Sequence, residues 1–113
     1  MYIGLILAVA LLFTGSSASS AEYDGNLLNK IAWCESRDTA TAKNPNSSAS
    51  GRFQFIRGSW KYYGEQLWGD EWKEKDVFDY NDNTELASYV MQKYGTTPWN
   101  ASKKCWSSPA KDS

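Results

Sequence analysis

Histidine is absent from this chain of 113 residues. Ser-His and Cys-His nucleophilic catalysis are therefore excluded, and so are the common zinc sites. No metal or other cofactor is expected. Excess charge is lacking as well, with a formal net charge of −1. Phosphate binding needs a clear basic surplus, so nucleic acid is not expected as a partner. The same near-balance gives no strong steering toward an anionic surface. Acid–base chemistry, if the chain performs any, falls to carboxylates.

A long apolar run is also missing. Ile3 to Phe13 is apolar but stops short of the ~20 residues a spanning helix needs. Small residues follow from Gly15 to Ala21 and end in Ser19-Ser20-Ala21. This layout predicts a secretory signal peptide over residues 1–21, cleaved near Ala21. The n-region has no Lys or Arg, which keeps an uncleaved anchor as the alternative. Residues 22–113 then make one small domain, of a size that often needs a staple. Cys34 and Cys105 are the two cysteines, and in an exported chain they should pair. Closing that loop is worth about 4 kcal/mol in the chain-entropy model. The expectation is a monomer, secreted or extracytoplasmic, with no stable membrane insertion once the signal is removed.

Leu27, Leu28, Ile31 and Ala32 recur at helical spacing, with Asp24 as N-cap. Four residues beyond Ile31 comes Glu35, on the same face. Its carboxyl should meet the edge of the core, where desolvation favours the protonated acid and raises the pKa. A general acid working near neutral pH needs such a setting. The commoner fate of a helix-end glutamate is to snorkel or to pair with a nearby cation, here Arg37 or Arg52.

Thr39 to Ser50 lacks apolar periodicity and holds the turn signal Asn44-Pro45-Asn46. Gly51 can supply a positive φ. Alternation in Phe53-Gln54-Phe55 predicts a short strand with both phenylalanines inward and Gln54 facing a cleft. Ser59 is expected to cap a helix bearing Trp60, Tyr63 and Leu67. Residues 68–76 read as a solvated, mixed-charge connection. Asp82 or Asn83 should cap an amphipathic helix with Leu86, Ala87, Val90, Met91 and Tyr94 on one side, ended by Gly95. Trp99 to Trp106 would carry Cys105 back to the first helix.

Taken together, Glu35-Ser36, Asn44 to Gly51, Phe53-Gln54-Phe55 and Ser59-Trp60 resemble the lysozyme-like soluble lytic transglycosylase (SLT-type) signature. Cys34 beside the glutamate, with a late Trp followed by a Cys, is similar to the resuscitation-promoting factors. The match covers Ile31 to Gly64 well and the rest loosely. It implies an α+β class: an α-rich lysozyme-like fold, a small β-hairpin beside the cleft and one disulfide. It also implies peptidoglycan glycan strands as partner, with Glu35 as the catalytic acid and base for the bond between N-acetylmuramic acid and N-acetylglucosamine. The product would be a 1,6-anhydro sugar, formed without a second carboxylate if the substrate's N-acetyl group supports the developing charge. By the same resemblance Gln54 and Asn44 contact sugar and Ile56 packs on the glycan.

Departures from the signature are equally specific. The Ala-Tyr-Asn-Ala-Gly motif of larger relatives is missing, so only Tyr94 offers a counterpart to their tyrosine. Glu85 stands where relatives often have Asn or Gln. Hydrolysis (a muramidase) is the alternative chemistry. It would need a second carboxylate ~5–5.5 Å or ~6.5–9.5 Å from the first. Asp38, Asp76, Asp79 and Asp82 are the candidates, each equally suited to turns and caps. A non-catalytic glycan-binding or signalling module is the third reading. Six tryptophans invite stacking on sugar rings; Trp60 is the best cleft candidate and Trp99 a weaker one.

Overall fold

The computed structural model describes residues 25–107. The signal-peptide reading and the Asp24 cap fall outside them. Four α-helices follow in order: α1 (Gly25–Ser36), α2 (Arg57–Trp68), α3 (Tyr80–Tyr94) and the short α4 (Lys103–Trp106). A first 3-10 segment, Gly69–Glu74, follows α2 directly, and a second, Thr97–Ser102, leads into α4.

No strand or sheet occurs among the described residues, which corrects the α+β expectation and removes its β-hairpin. The loop after α1 makes only two isolated bridges, Lys43 with Ser50 and Ser50 with Phe55. A tight turn explains the difference. Gln54 adopts a left-handed φ of 55°, and its N–H donates to Gly51 O at 3.1 Å. A left-handed residue between the two phenylalanines ends any pleat there. Phe53 and Phe55 are both buried all the same. Three alternating residues are too few to tell a turn from a strand.

Gly51 is required at its position. Its φ is 84°, and a Cβ there would overlap Asn83 Nδ2 and the Val77 carbonyl. Asn83 is fully buried and is not the cap expected of it. Its Oδ1 accepts from Phe53 N at 2.8 Å, and its Nδ2 donates to Val77 O at 2.8 Å. The amide thus ties the turn to the segment before α3. Asp79 caps α3 instead, accepting from Asp82 N. Gly95 ends that helix with a φ of 74°, as its sequence position suggested.

Ser59 is not a cap either, because α2 begins at Arg57 with Ile56 in the N-cap position. A distant hydroxyl does the capping work: Ser48 Oγ accepts from Arg57 N at 2.9 Å. Residues 69–74 are solvated as expected but are wound as a 3-10 helix, and Trp68 and Trp72 pack against the core beside them.

Leu28, Ile31 and Ala32 of α1 meet Leu86, Ala87, Val90 and Met91 of α3 in one core with Phe53, Phe55, Trp60, Trp99 and Trp106. α1 packs on α4 and on the second 3-10 segment. Cys34 and Cys105 form a disulfide across that contact, with Cα atoms 6.0 Å apart and a sequence separation of 71. Among the described residues no helix is long and apolar enough to cross a membrane.

Candidate active site

The last turn of α1 places Glu35 at the border of the core, half-buried, one residue after the disulfide. The cationic pairing open to it in the sequence does not occur. Arg52 is taken by Asp38, and the Arg37 guanidinium stacks on Trp33 with its Cζ 4.9 Å from the ring centroid. Among the described residues no ion pair involves Glu35. Ser102 Oγ lies 2.6 Å from Glu35 Oε2, a short distance typical of a hydroxyl donating to a carboxylate. Burial pushes the Glu35 pKa above its ordinary value of 4.5, and the Ser102 hydrogen bond offsets part of that rise. Desolvation without a countercharge suits a group that must carry a proton at higher pH than a surface carboxylate does.

Several contacts fix the carboxyl in place. Ser36 Oγ lies 2.7 Å from Arg52 O and accepts from Thr39 N at 3.0 Å, which ties the end of α1 to the Gly51–Gln54 turn. Arg37 and Asp38 follow with φ of 58° and 60°. Two successive left-handed residues without a glycine hold backbone strain directly behind Glu35. The Arg52–Asp38 pair secures that conformation. Across the site, Trp99 Nε1 donates to Phe53 O at 3.2 Å, and Trp106 Nε1 donates to Trp99 O at 3.1 Å. Ser102 therefore sits on a segment anchored by two buried indoles.

The other residues named from sequence are distributed unevenly. Gln54 is half-buried, and its Nε2 donates to Gly51 O at 2.9 Å and Ala42 O at 3.3 Å. Asn44 Oδ1 accepts from Asn46 N at 2.7 Å. Both side chains thus shape the loop that follows α1. Ile56 is 48 % exposed at the start of α2. Trp60 is 7 % exposed and packs on Phe55 and Trp68, so most of it belongs to the core. Its accessible edge borders a hollow of ≈ 250 Å³. Lys43, Arg57, Phe55, Val77 and Phe78 also line that hollow, and Glu35 does not. Trp99 is core as well. The Tyr94 hydroxyl donates to Gln66 Oε1, so it serves the contact between α2 and α3.

Two residues escaped the sequence reading: Ser102 beside Glu35, and Trp33, two residues before Glu35 on α1. Ser102 follows Trp99 by three residues, but nothing in that spacing announces a partner 67 positions earlier. Trp33 is the one tryptophan more than half exposed among those described, at 52 %. Its place off the Leu28-Ile31-Ala32 stripe was a usable signal. Among the described residues no three Cys, Asp or Glu side chains gather as a metal-binding group.

The four aspartates considered as second carboxylates all have structural work. Asp38 pairs with Arg52, Asp79 caps α3, Asp82 accepts from Asp76 N, and Asp76 accepts from Phe78 N. Compared with protein-family models, with curated proteins and with solved structures, the chain matches none.

Proposed function

We propose that the protein is a lytic transglycosylase that cleaves peptidoglycan glycan strands outside the cytoplasm, with Glu35 as its acid and base. One observation carries the reading: a half-buried carboxyl with a raised pKa, no ion-pair partner among the described residues and a single hydroxyl donor. A structural glutamate withdrawn from water would ordinarily be paired. The resemblance of Glu35-Ser36, the Asn/Ser loop and Gly51 to Gln54 to the transglycosylase signature names the chemistry.

In this mechanism Glu35 first gives its proton to the glycosidic oxygen as the bond from C1 of N-acetylmuramic acid breaks. The resulting carboxylate then takes the proton of the C6 hydroxyl, whose oxygen bonds to C1. No water is consumed, and Glu35 ends protonated as it began. Ile56 offers an apolar surface to the glycan at the start of α2. Gln54 and Asn44 act first by holding the loop, and a sugar contact from either would use an atom those bonds leave over. The commitment of Asp38, Asp76, Asp79 and Asp82 to caps and to Arg52 weighs against a hydrolase. The disulfide fits an oxidising, extracytoplasmic location.

The test is digestion of purified peptidoglycan, with soluble fragments read by mass spectrometry. Fragments lighter by one water than hydrolysis products are expected. Glu35→Gln should lower their rate by at least about 10²-fold, the usual share of general acid–base catalysis. Reducing-end fragments would reassign the protein as a muramidase. No fragments, with glycan binding intact, would leave a binding module.

A further inference from the structure

Ser102 has one hydroxyl proton and two acceptors within reach. Its Oγ lies 2.6 Å from Glu35 Oε2 and 3.2 Å from Trp99 O. A serine hydroxyl donates one hydrogen bond and accepts up to two, so the two acceptors cannot both be fully served while Glu35 is ionised. When Glu35 holds a proton, the count changes. The acid O–H can donate to Ser102 Oγ, which frees the serine proton for Trp99 O.

We propose that Ser102 is a positioning residue whose hydroxyl switches its donation between Glu35 and the Trp99 carbonyl each time Glu35 loses or gains its proton. Its value to turnover rests on the reading of Glu35 as acid and base. The switch itself does not.

Three features of the surroundings make it work. The Trp99 carbonyl already accepts from Trp106 Nε1 at 3.1 Å. It therefore keeps a partner when the hydroxyl turns away, and no buried acceptor is orphaned. The Trp99 indole is bonded to Phe53 O and the disulfide links α1 to α4, so the oxygen atoms hold their spacing while only a hydrogen rotates. Glu35 also has a hydrogen bond in both charge states, which suits a group that must act first as acid and then as base. The burial that raises the Glu35 pKa is compatible with this role.

The ionisable groups on the elements packed against α1 are Lys103 and Lys104 of α4, Arg52 of the turn, and Tyr80, Asp82, Glu85, Tyr89, Lys93 and Tyr94 of α3, which shares the core. The second 3-10 segment has none, and among the described residues no ion pair joins any of these groups to Glu35. α1 itself carries Lys30 and is followed by Arg37, stacked on Trp33, and Asp38, paired with Arg52. Burial and Ser102 alone account for the shift at Glu35.

Trp99-Asn100 is the only Trp-Asn pair in the chain, so labelling Trp with carbonyl ¹³C and Asn with ¹⁵N isolates a single carbonyl by NMR. With glutamate side-chain ¹³C labelling, both ends of the switch can be titrated in the folded protein. The Trp99 carbonyl shift should follow pH with the same midpoint as Glu35. In Ser102→Ala, Glu35 should still titrate while the Trp99 carbonyl stops responding. Ser102→Thr, which keeps the hydroxyl, should restore the response. A Trp99 carbonyl indifferent to Glu35 in the wild type, or one that follows it equally in Ser102→Ala, overturns the proposal. On peptidoglycan, Ser102→Ala should lose roughly tenfold in kcat with KM little changed, as for one hydrogen bond to a charged group. If the wild type releases no fragments, the enzymatic reading fails while the carbonyl titration still decides the switch.

Discussion

Arg52 and Glu35 are charged side chains drawn out of water on two sides of the same turn, and the molecule treats them in opposite ways. Arg52 is 4 % exposed and each of its three nitrogens has a partner. Nε donates to Asp38, Nη1 to Thr84 Oγ1 at 2.9 Å and Nη2 to Asn29 Oδ1 at 3.0 Å. Tyr80 and Phe53 lie against the guanidinium. Among the described residues Glu35 has one hydroxyl and no cation as partner. A buried charge with a partner at every nitrogen is there to hold elements together, and Arg52 joins α1, α3 and the turn behind Glu35. A desolvated charge left nearly bare costs stability in its ionised form. Among the described residues the fold commits one charge to structure and gives the other a single hydroxyl partner.

The disulfide is the strongest lever on the Glu35 side. Replacing Cys34 and Cys105 together by Ala should lower unfolding stability by about 4 kcal/mol, the chain-entropy value for so long a loop, as read by urea denaturation. A loss near zero would mean that the indole anchors of Trp99 and Trp106 hold α4 on α1 unaided. On the other side, Arg52→Met should cost about 2–4 kcal/mol, because it leaves Asp38, Asn29 and Thr84 without their donor. The lower part of that range is favoured, since the Asp38 side chain is 45 % exposed and can return to water. A destabilisation below the usual surface effect of about 0.5 kcal/mol would remove the contrast between the two charges.

The helices were largely legible. The stripe of Leu28, Ile31 and Ala32, the stripe of Leu86 to Met91 and the Gly95 stop are local patterns, and local patterns survive into the fold. The paired cysteines were legible from compartment chemistry. What failed depended on distant partners. Arg52 looked like a countercharge for Glu35, but Asp38, Thr84 and Asn29 outcompete it. Asn83 looked like a cap and is a fully buried crosslink to Phe53 and Val77. The Phe53-Gln54-Phe55 strand became a turn because Gly51 and Gln54 both adopt positive φ. In the candidate site, the core-edge position of Glu35 came from helical spacing and its candidate role from the resemblance, whereas Ser102 required the chain to fold back across 67 positions. Trp60 was drawn toward the cleft by motif order and is held in the core by Phe55 and Trp68.

The smallest predicted effect carries the most information. Burial raises the Glu35 pKa above 4.5 in the folded state, so the carboxyl favours folding most when protonated. Its contribution is fully present below the unfolded pKa and is lost as pH rises through the folded value. Glu35→Gln keeps the shape and an acceptor for Ser102 but cannot ionise. Thermal melts of the two proteins should therefore coincide near pH 4, with the variant melting as high as the wild type or higher at pH 7. A Glu35→Gln protein that melts lower at pH 7 would show that the ionised carboxylate stabilises the fold, and would contradict the reading of Glu35 as a side chain kept for chemistry.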